Sequence, residues 1–157
     1  MSMMQSSAFD VAGVHTQKAL EKQLQQIQDE DDTLDTGIMM FDLNNLKIIN
    51  DTYGHEEGDV FIQTFASFLT RILTENSYLA RFGGDEFLII FNKISELSFY
   101  GCMEKIKRNV SASKNEKYPY IELSVSIGGA YGCASLSRAI EEADKEMCKN
   151  KGKDKSV

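Results

Sequence analysis

The most restrictive feature of the chain is a pair of short apolar runs, Tyr78–Phe82 and Phe87–Phe91, separated by Gly83-Gly84-Asp85-Glu86. Each run has the length and composition of a strand, and a Gly-Gly pair supplies the positive φ that a tight turn between antiparallel strands demands. The spacing therefore predicts a β-hairpin with two acids at its tip. A second run, Gly37 to Leu43 (GIMMFDL), is almost continuously apolar and ends beside an acid, the pattern of a strand buried on both faces with Asp42 at its exit. Further on, Ile121, Leu123, Val125 and Ile127 alternate with Glu122, Ser124 and Ser126, which reads as a half-buried strand followed by Gly128-Gly129.

Between these runs the apolar period changes from two to that of a helix. Leu20, Leu24 and Ile27 mark an amphipathic helix over Gln17–Gln28. Val60, Phe61, Thr64, Phe65, Phe68, Leu69 and Ile72 mark the strongest helix, after a linker containing Asn50, Asp51 and Gly54. Leu97, Tyr100, Met103, Ile106 and Val110 mark another, broken by Tyr118 and by Pro119, the only proline. Leu136, Ala139, Ile140, Ala143 and Met147 space out a closing helix that runs into a lysine-rich tail. Strands alternating with helices around one hairpin predict an α/β (α+β) fold, a mixed central β-sheet with helices packed on it. At 157 residues and 42% hydrophobic, the chain suits one domain. Residues 1–8 read as a tail and 9–157 as that domain, a module that could belong to a longer signalling protein.

The balance of 24 Asp plus Glu against 17 Lys plus Arg gives a formal charge of -7, which argues against a nucleic acid or an anionic membrane surface as the main partner. A small anionic substrate would need local help, and a divalent cation can neutralise phosphate where the overall field does not. Cys102, Cys133 and Cys148 are far apart and form no metal-binding pair, so they read as free thiols in a reducing compartment. No stretch approaches the roughly 18 apolar residues of a membrane span, and Met1–Ala8 lacks the pattern of a signal peptide. A cytoplasmic location is expected, either free or as the cytoplasmic part of a membrane-anchored receptor.

Asp42, and Asp85 with Glu86, fall where strands end and side chains can converge over a sheet edge. Taken singly, each is an ordinary solvated turn residue or helix cap. Together they could share a hard divalent cation and serve phosphoryl or nucleotidyl transfer. Three lookalikes fail on spacing. His55-Glu56 lacks a second histidine one turn on, Asp42-x-Asn44 reaches Lys47 where a calcium loop requires glycine, and Lys149, Lys151, Lys153 and Lys155 lie in an acidic chain as a solvated tail. The run Asp29 to Asp32 likewise reads as a solvated loop.

Arg81-Phe82-Gly83-Gly84-Asp85-Glu86-Phe87 contains the signature of the GGDEF diguanylate cyclases, preceded by that family's usual arginine and aromatic. The stretch from Phe41 to Asp59 (FDLNNLKIINDTYGHEEGD) resembles the family's second block at the matching distance. Ser124 to Gly129 (SVSIGG) and Ala143-Asp144 through Lys151 follow in the family's order. The resemblance covers about Phe9 to Lys155. It implies a fold related to nucleotidyl cyclases and polymerase palms, with an active-site β-hairpin, and an enzyme that condenses two GTP into cyclic di-GMP.

Carried onto this chain, the resemblance makes Asp42, Asp85, Glu86 and the carbonyl of Leu43 metal ligands for magnesium, with manganese as the alternative. It makes Asp85 or Glu86 the catalytic base. Gly83 and Gly84 leave room for the nucleotide, and Asn50 and Asp59 hydrogen-bond guanine. Lys47, Lys151 and Lys155 contact phosphate, Lys155 standing where the family usually has an arginine, so the bidentate fork is lost there. Each domain would hold one GTP, so catalysis implies a homodimer, with an upstream sensor domain as a further expected partner. Phe9-Asp10-Val11-Ala12-Gly13-Val14 departs from the family's Asp-x-Leu-Thr-Gly-Leu segment. Thr74 and Ser77 replace the Arg and Asp of its inhibitory product site, so no product brake is expected there. The rival reading is a GGDEF module that holds GTP without turning it over and regulates an attached domain; a purely structural dimerisation module ranks last.

Overall fold

The structure, a computed structural model, describes residue 22 and residues 34–81, 84–113 and 123–155, with side chains as far as Lys151. The tail over residues 1–8, the helix expected at Gln17–Gln28, Phe82, Gly83, Tyr118, Pro119, Ile121 and Glu122 lie outside the described residues. From residue 34 on, the described residues form four strands and four helices in the order β1 (Gly37–Leu43), α1 (Leu46–Tyr53), α2 (His55–Arg71), β2 (Ser77–Arg81), β3 (Glu86–Phe91), α3 (Glu96–Ala112), β4 (Val125–Tyr131) and α4 (Leu136–Lys155).

The sheet order is β2-β3-β1-β4. The class is that expected, but every pairing among the described residues is antiparallel, so the sheet is not mixed there. The reason lies in the crossovers. A helical connection returns the chain parallel to the strand it left, and both crossovers, β1 to β2 and β3 to β4, skip over a strand that fills the gap in the opposite direction. This is the split β-α-β arrangement.

All seven residues of β1 are buried, because it has a strand on each side and helices over both faces. Its alternation sorts the core. Met39, Phe41 and Leu43 join Phe65 and Leu69 of α2 and Phe99, Met103 and Ile106 of α3 on one face. Ile38 and Met40 join Leu88 and Ile90 of β3 and Leu136, Ala139, Ala143 and Met147 of α4 on the other. Edge-to-face rings of Phe41, Phe65 and Phe87 lock the first face at centroid separations of 5.6 and 5.4 Å.

Two expectations are corrected. The stretch through Asn50 is a helix, α1, rather than a linker. Only Leu46 and Ile49 of its eight residues are buried, too few to establish a period in sequence, and the helix holds because those two dock on the core. Gly54, at φ 97, then turns the chain directly into α2, which starts at His55 and leaves Val60 exposed. Gly128 and Gly129 lie inside β4 rather than after it. A Cβ on Gly128 would strike the carbonyl of Ala143 and the amide of Met147, so the residue's smallness lets the backbone of α4 lie directly on the sheet.

This contact generates a paired prediction. Gly128→Ala should lower the unfolding free energy by about 2–3 kcal/mol through overpacking against a backbone that cannot yield. Gly84→Ala, whose Cβ would meet nothing within 4 Å, should leave stability unchanged. Urea unfolding of the two variants checks this.

Candidate active site

Position 42 follows Ile38 and Met40 along β1 and shares their face, so the fold carries its carboxylate toward α4 at the strand's end. Asp42 faces Glu86 in the β1–β3 register, and Glu86 precedes Leu88 and Ile90 on the same face of β3. The exit of β1 is held from both sides: the Leu43 amide donates to the Asp85 carbonyl, and the Asn44 amide to the Ser124 carbonyl, each at 2.8 Å. The Asn44 side chain donates to Ser124 Oγ at 3.0 Å and accepts from Ser126 Oγ at 3.1 Å. Asn45, in the left-handed region at φ 65, then swings the chain into α1.

Three carboxylates converge here. Asp42, Asp85 and Glu86 each offer an oxygen within 4.8 Å of the others. Asp42 is 1% exposed; one oxygen, Oδ2, lies 2.7 Å from the Lys151 ammonium on α4, and the other, Oδ1, is buried with no hydrogen-bond partner among the described residues. A buried carboxylate oxygen left unpaired is costly. Desolvation, and then the negative charge of Asp42, push the carboxyls of Asp85 and Glu86 above their ordinary range. Asp85 and Asp144 add to the field on Glu86, and Lys151 opposes it. The hydrogen bond to Asp42 pushes the Lys151 ammonium up against its partial desolvation. An anionic cluster with one oxygen unsatisfied and two acids short of charge compensation fits a hard divalent cation, which takes oxygen ligands.

The remaining site residues expected from the sequence fall into two groups. Asn50, on α1, lies against Gly58 of α2 so closely that a Cβ at Gly58 would collide with its amide oxygen. This brings Asn50 beside the residue preceding Asp59, and both Asn50 and Asp59 are half-buried. Leu43 is buried with its side chain in the core, which leaves only its backbone to serve the site. Lys47 is exposed on the first turn of α1. The side chain of Lys155, at the end of α4, lies outside the described residues, as does Gly83.

Gly84 stands at the hairpin turn. It is exposed in open space, so what glycine supplies there is room. Asp85 occupies the turn, while Glu86 is already the first residue of β3.

Three contributors were not assigned a role from the sequence. Arg81 donates from Nε and Nη2 to the Gly84 carbonyl at 3.2 and 2.5 Å, bracing the hairpin turn. Asn150 donates to the Ile127 carbonyl at 2.5 Å and ties α4 to β4. Asp144 lies seven residues before Lys151, with Met147 between them at helical spacing, so one face of α4 could have been read from the sequence. Thr74 and Ser77 hydrogen-bond each other: the Thr74 amide donates to Ser77 Oγ at 2.8 Å, and Ser77 Oγ donates to the Thr74 carbonyl at 2.7 Å.

The family model described as diguanylate cyclase, GGDEF domain, matches residues 10–156. The chain belongs to the GGDEF family. It is 31% identical over 119 residues to diguanylate cyclase A of Treponema denticola, covering 73% of this chain and 32% of that protein. It is 32% identical over 114 residues to diguanylate cyclase DosC of Escherichia coli K12, covering 70% of this chain and 25% of that protein. The chain thus spans a third or less of the length of these relatives. Its fold is also that of the coiled coil and GGDEF domain of DgcB from Caulobacter crescentus, solved in complex with c-di-GMP. The TM-score is 0.81 at 24% identity, over 96% of this chain and 83% of that one. Among the described residues, no helix is long and apolar enough to cross a membrane.

The raised carboxyls of this GGDEF domain give a pH signature. Because the folded state holds these protons more tightly than the unfolded chain does, ionising them lowers stability. Stability is therefore lost as pH rises from the unfolded carboxylate range through the raised folded values. In EDTA at pH 7.5, Glu86→Gln should melt at a higher temperature than the wild type, and the difference should vanish near pH 4. Scanning calorimetry across that range checks both the sign and the window.

Proposed function

We propose that this GGDEF domain is an active diguanylate cyclase module, which joins two GTP into cyclic di-GMP and two pyrophosphates with magnesium, or manganese in its place. The observation that carries this reading is the convergence of the buried Asp42 with Asp85 and Glu86, a carboxylate oxygen of each within 4.8 Å of the others, at the mouth of a hairpin. Asp42, Asp85, Glu86 and the carbonyl of Leu43 would hold the cation. Once bound, it would neutralise phosphate charge and acidify a coordinated hydroxyl.

The chain's own residues supply the rest. The 3′-oxygen of one GTP attacks the α-phosphorus of the other; a new P–O bond forms, the bond to pyrophosphate breaks, and the hydroxyl proton passes to Asp85 or Glu86. A carboxylate pushed above its ordinary range is a better general base than an unperturbed one. Gly83 and Gly84 leave room for ribose and phosphate at the turn, and Lys47, Lys151 and Lys155 meet the phosphates. Asn50 and Asp59 read guanine: a carboxylate accepts from both the ring N–H and the exocyclic amine, a pair adenine lacks. One domain presents one such site, so the second GTP comes from a second copy facing it about a two-fold axis, and the same step repeated in the opposite sense closes the ring.

Incubating the protein with GTP and Mg2+ and following cyclic di-GMP by mass spectrometry tests this. Product is expected, and Asp85→Ala with Glu86→Ala should reduce turnover by more than about 100-fold while the protein stays folded. GTP bound without product at high protein concentration would instead identify a nucleotide receptor. Asp59→Ser should cut the preference for GTP over ATP by about tenfold or more; competition between the two nucleotides, read as relative kcat/KM, checks it.

A further inference from the structure

Lys151 stands in an unusual relation to the acid cluster. Its ammonium is 2.7 Å from Oδ2 of a carboxylate that is only 1% exposed, while the lysine side chain itself is 36% exposed. The carboxylate is fixed in the sheet; the lysine is a long, half-solvated chain reaching in from the last turns of α4. Around the pair are Asp85 and Glu86, with the charge of Asp144 acting on Glu86, and Lys151 opposes the negative field at both Asp85 and Glu86. Among the described residues, the only ion pair made by any of the three clustered acids is this one. An ammonium so placed supplies positive charge where a metal ion bound by Asp42, Asp85 and Glu86 would supply it.

We propose that Lys151 is a built-in surrogate cation. It neutralises Asp42 while the site holds neither metal nor nucleotide, competes with the metal for that carboxylate, and is released when the metal and the triphosphate enter together. This rests on the metal reading above and adds to it a coupling. Two positive charges cannot both sit against Asp42 at low cost, because like charges at contact distance in a partly desolvated site repel strongly. Once displaced, the ammonium finds its new counter-charge in the phosphates. The exchange makes the nucleotide-free domain a poor binder of bare metal and a good binder of the metal and nucleotide together, and by linkage each ligand strengthens the other equally. Lys151 acts here by holding and yielding a position.

The test uses Mn2+ as the probe, with binding to the full chain followed by calorimetry or electron spin resonance in the absence of nucleotide. Lys151→Met should bind Mn2+ at least about fivefold more tightly than the wild type, because the competing charge is gone. Lys151→Arg, which keeps the charge, should stay close to the wild type. On adding a GTP analogue with a methylene bridge between the α and β phosphorus atoms, the wild type should gain more Mn2+ affinity than Lys151→Met does. Equal or weaker Mn2+ binding by folded Lys151→Met without nucleotide would overturn the surrogate role while leaving the metal site standing. Equal tightening in Lys151→Arg would also overturn it, since loss of packing rather than of charge would then be the cause. Failure of both wild type and Lys151→Met to bind Mn2+, with or without the analogue, would overturn the metal reading and this inference with it.

Discussion

A strand that is apolar on both faces has to be placed at the centre of its sheet, and β1 sets the terms for everything around it. Its neighbours β3 and β4 satisfy its backbone, α2 and α3 cover one face and α4 covers the other. Because side chains alternate along the strand, the position of Ile38 and Met40 in the α4 core also determines where Asp42 points. The same alternation brings Glu86 to that side of β3. The acid cluster is thus a consequence of register: a shift of one residue would turn Asp42 into the Phe65 face and undo the core together with the site.

Burying acid at the end of such a strand creates an electrostatic problem that the fold solves only in part. Lys151 neutralises one oxygen of Asp42, the other has no hydrogen-bond partner among the described residues, and Asp85 and Glu86 are left holding protons more tightly than free carboxyls do. A buried, half-satisfied polar cluster lowers stability, and such strain concentrates at functional sites. The close seating of α4 at Gly128 belongs to the same design. With its backbone lying directly on β4 and Asn150 tied to the Ile127 carbonyl, the helix delivers Lys151 to the strand end with little freedom in between.

Much of this was legible in the residues. The hairpin, the buried strand and the helices through Phe65, Met103 and Ala143 each follow from local period, and their acids from position at strand ends. Family resemblance, from four ordered blocks, then assigned Asn50, Asp59 and the lysines their roles. The helix α1 was not legible, because two buried residues do not make a period, and the extent of β4 was hidden because glycine ordinarily argues against a strand. The antiparallel pairing throughout was equally out of reach, since a helical connection leaves open whether its two strands become neighbours.

The sequence by itself determined the strands and helices other than α1 and the full extent of β4, which family the chain resembles, and which acids stand where metal chemistry could occur, because those depend on neighbours a few residues away. The tertiary structure alone decided that Asp42, Asp85, Glu86 and Lys151 meet. Position 151 is 109 residues from position 42, and only the packing of α4 across the face of β1 brings them within 2.7 Å. From the sequence, Lys151 was one lysine among several expected to meet phosphate. The fold makes it the partner of the buried carboxylate, because a charge at that depth must be compensated by whatever the neighbouring helix can reach across.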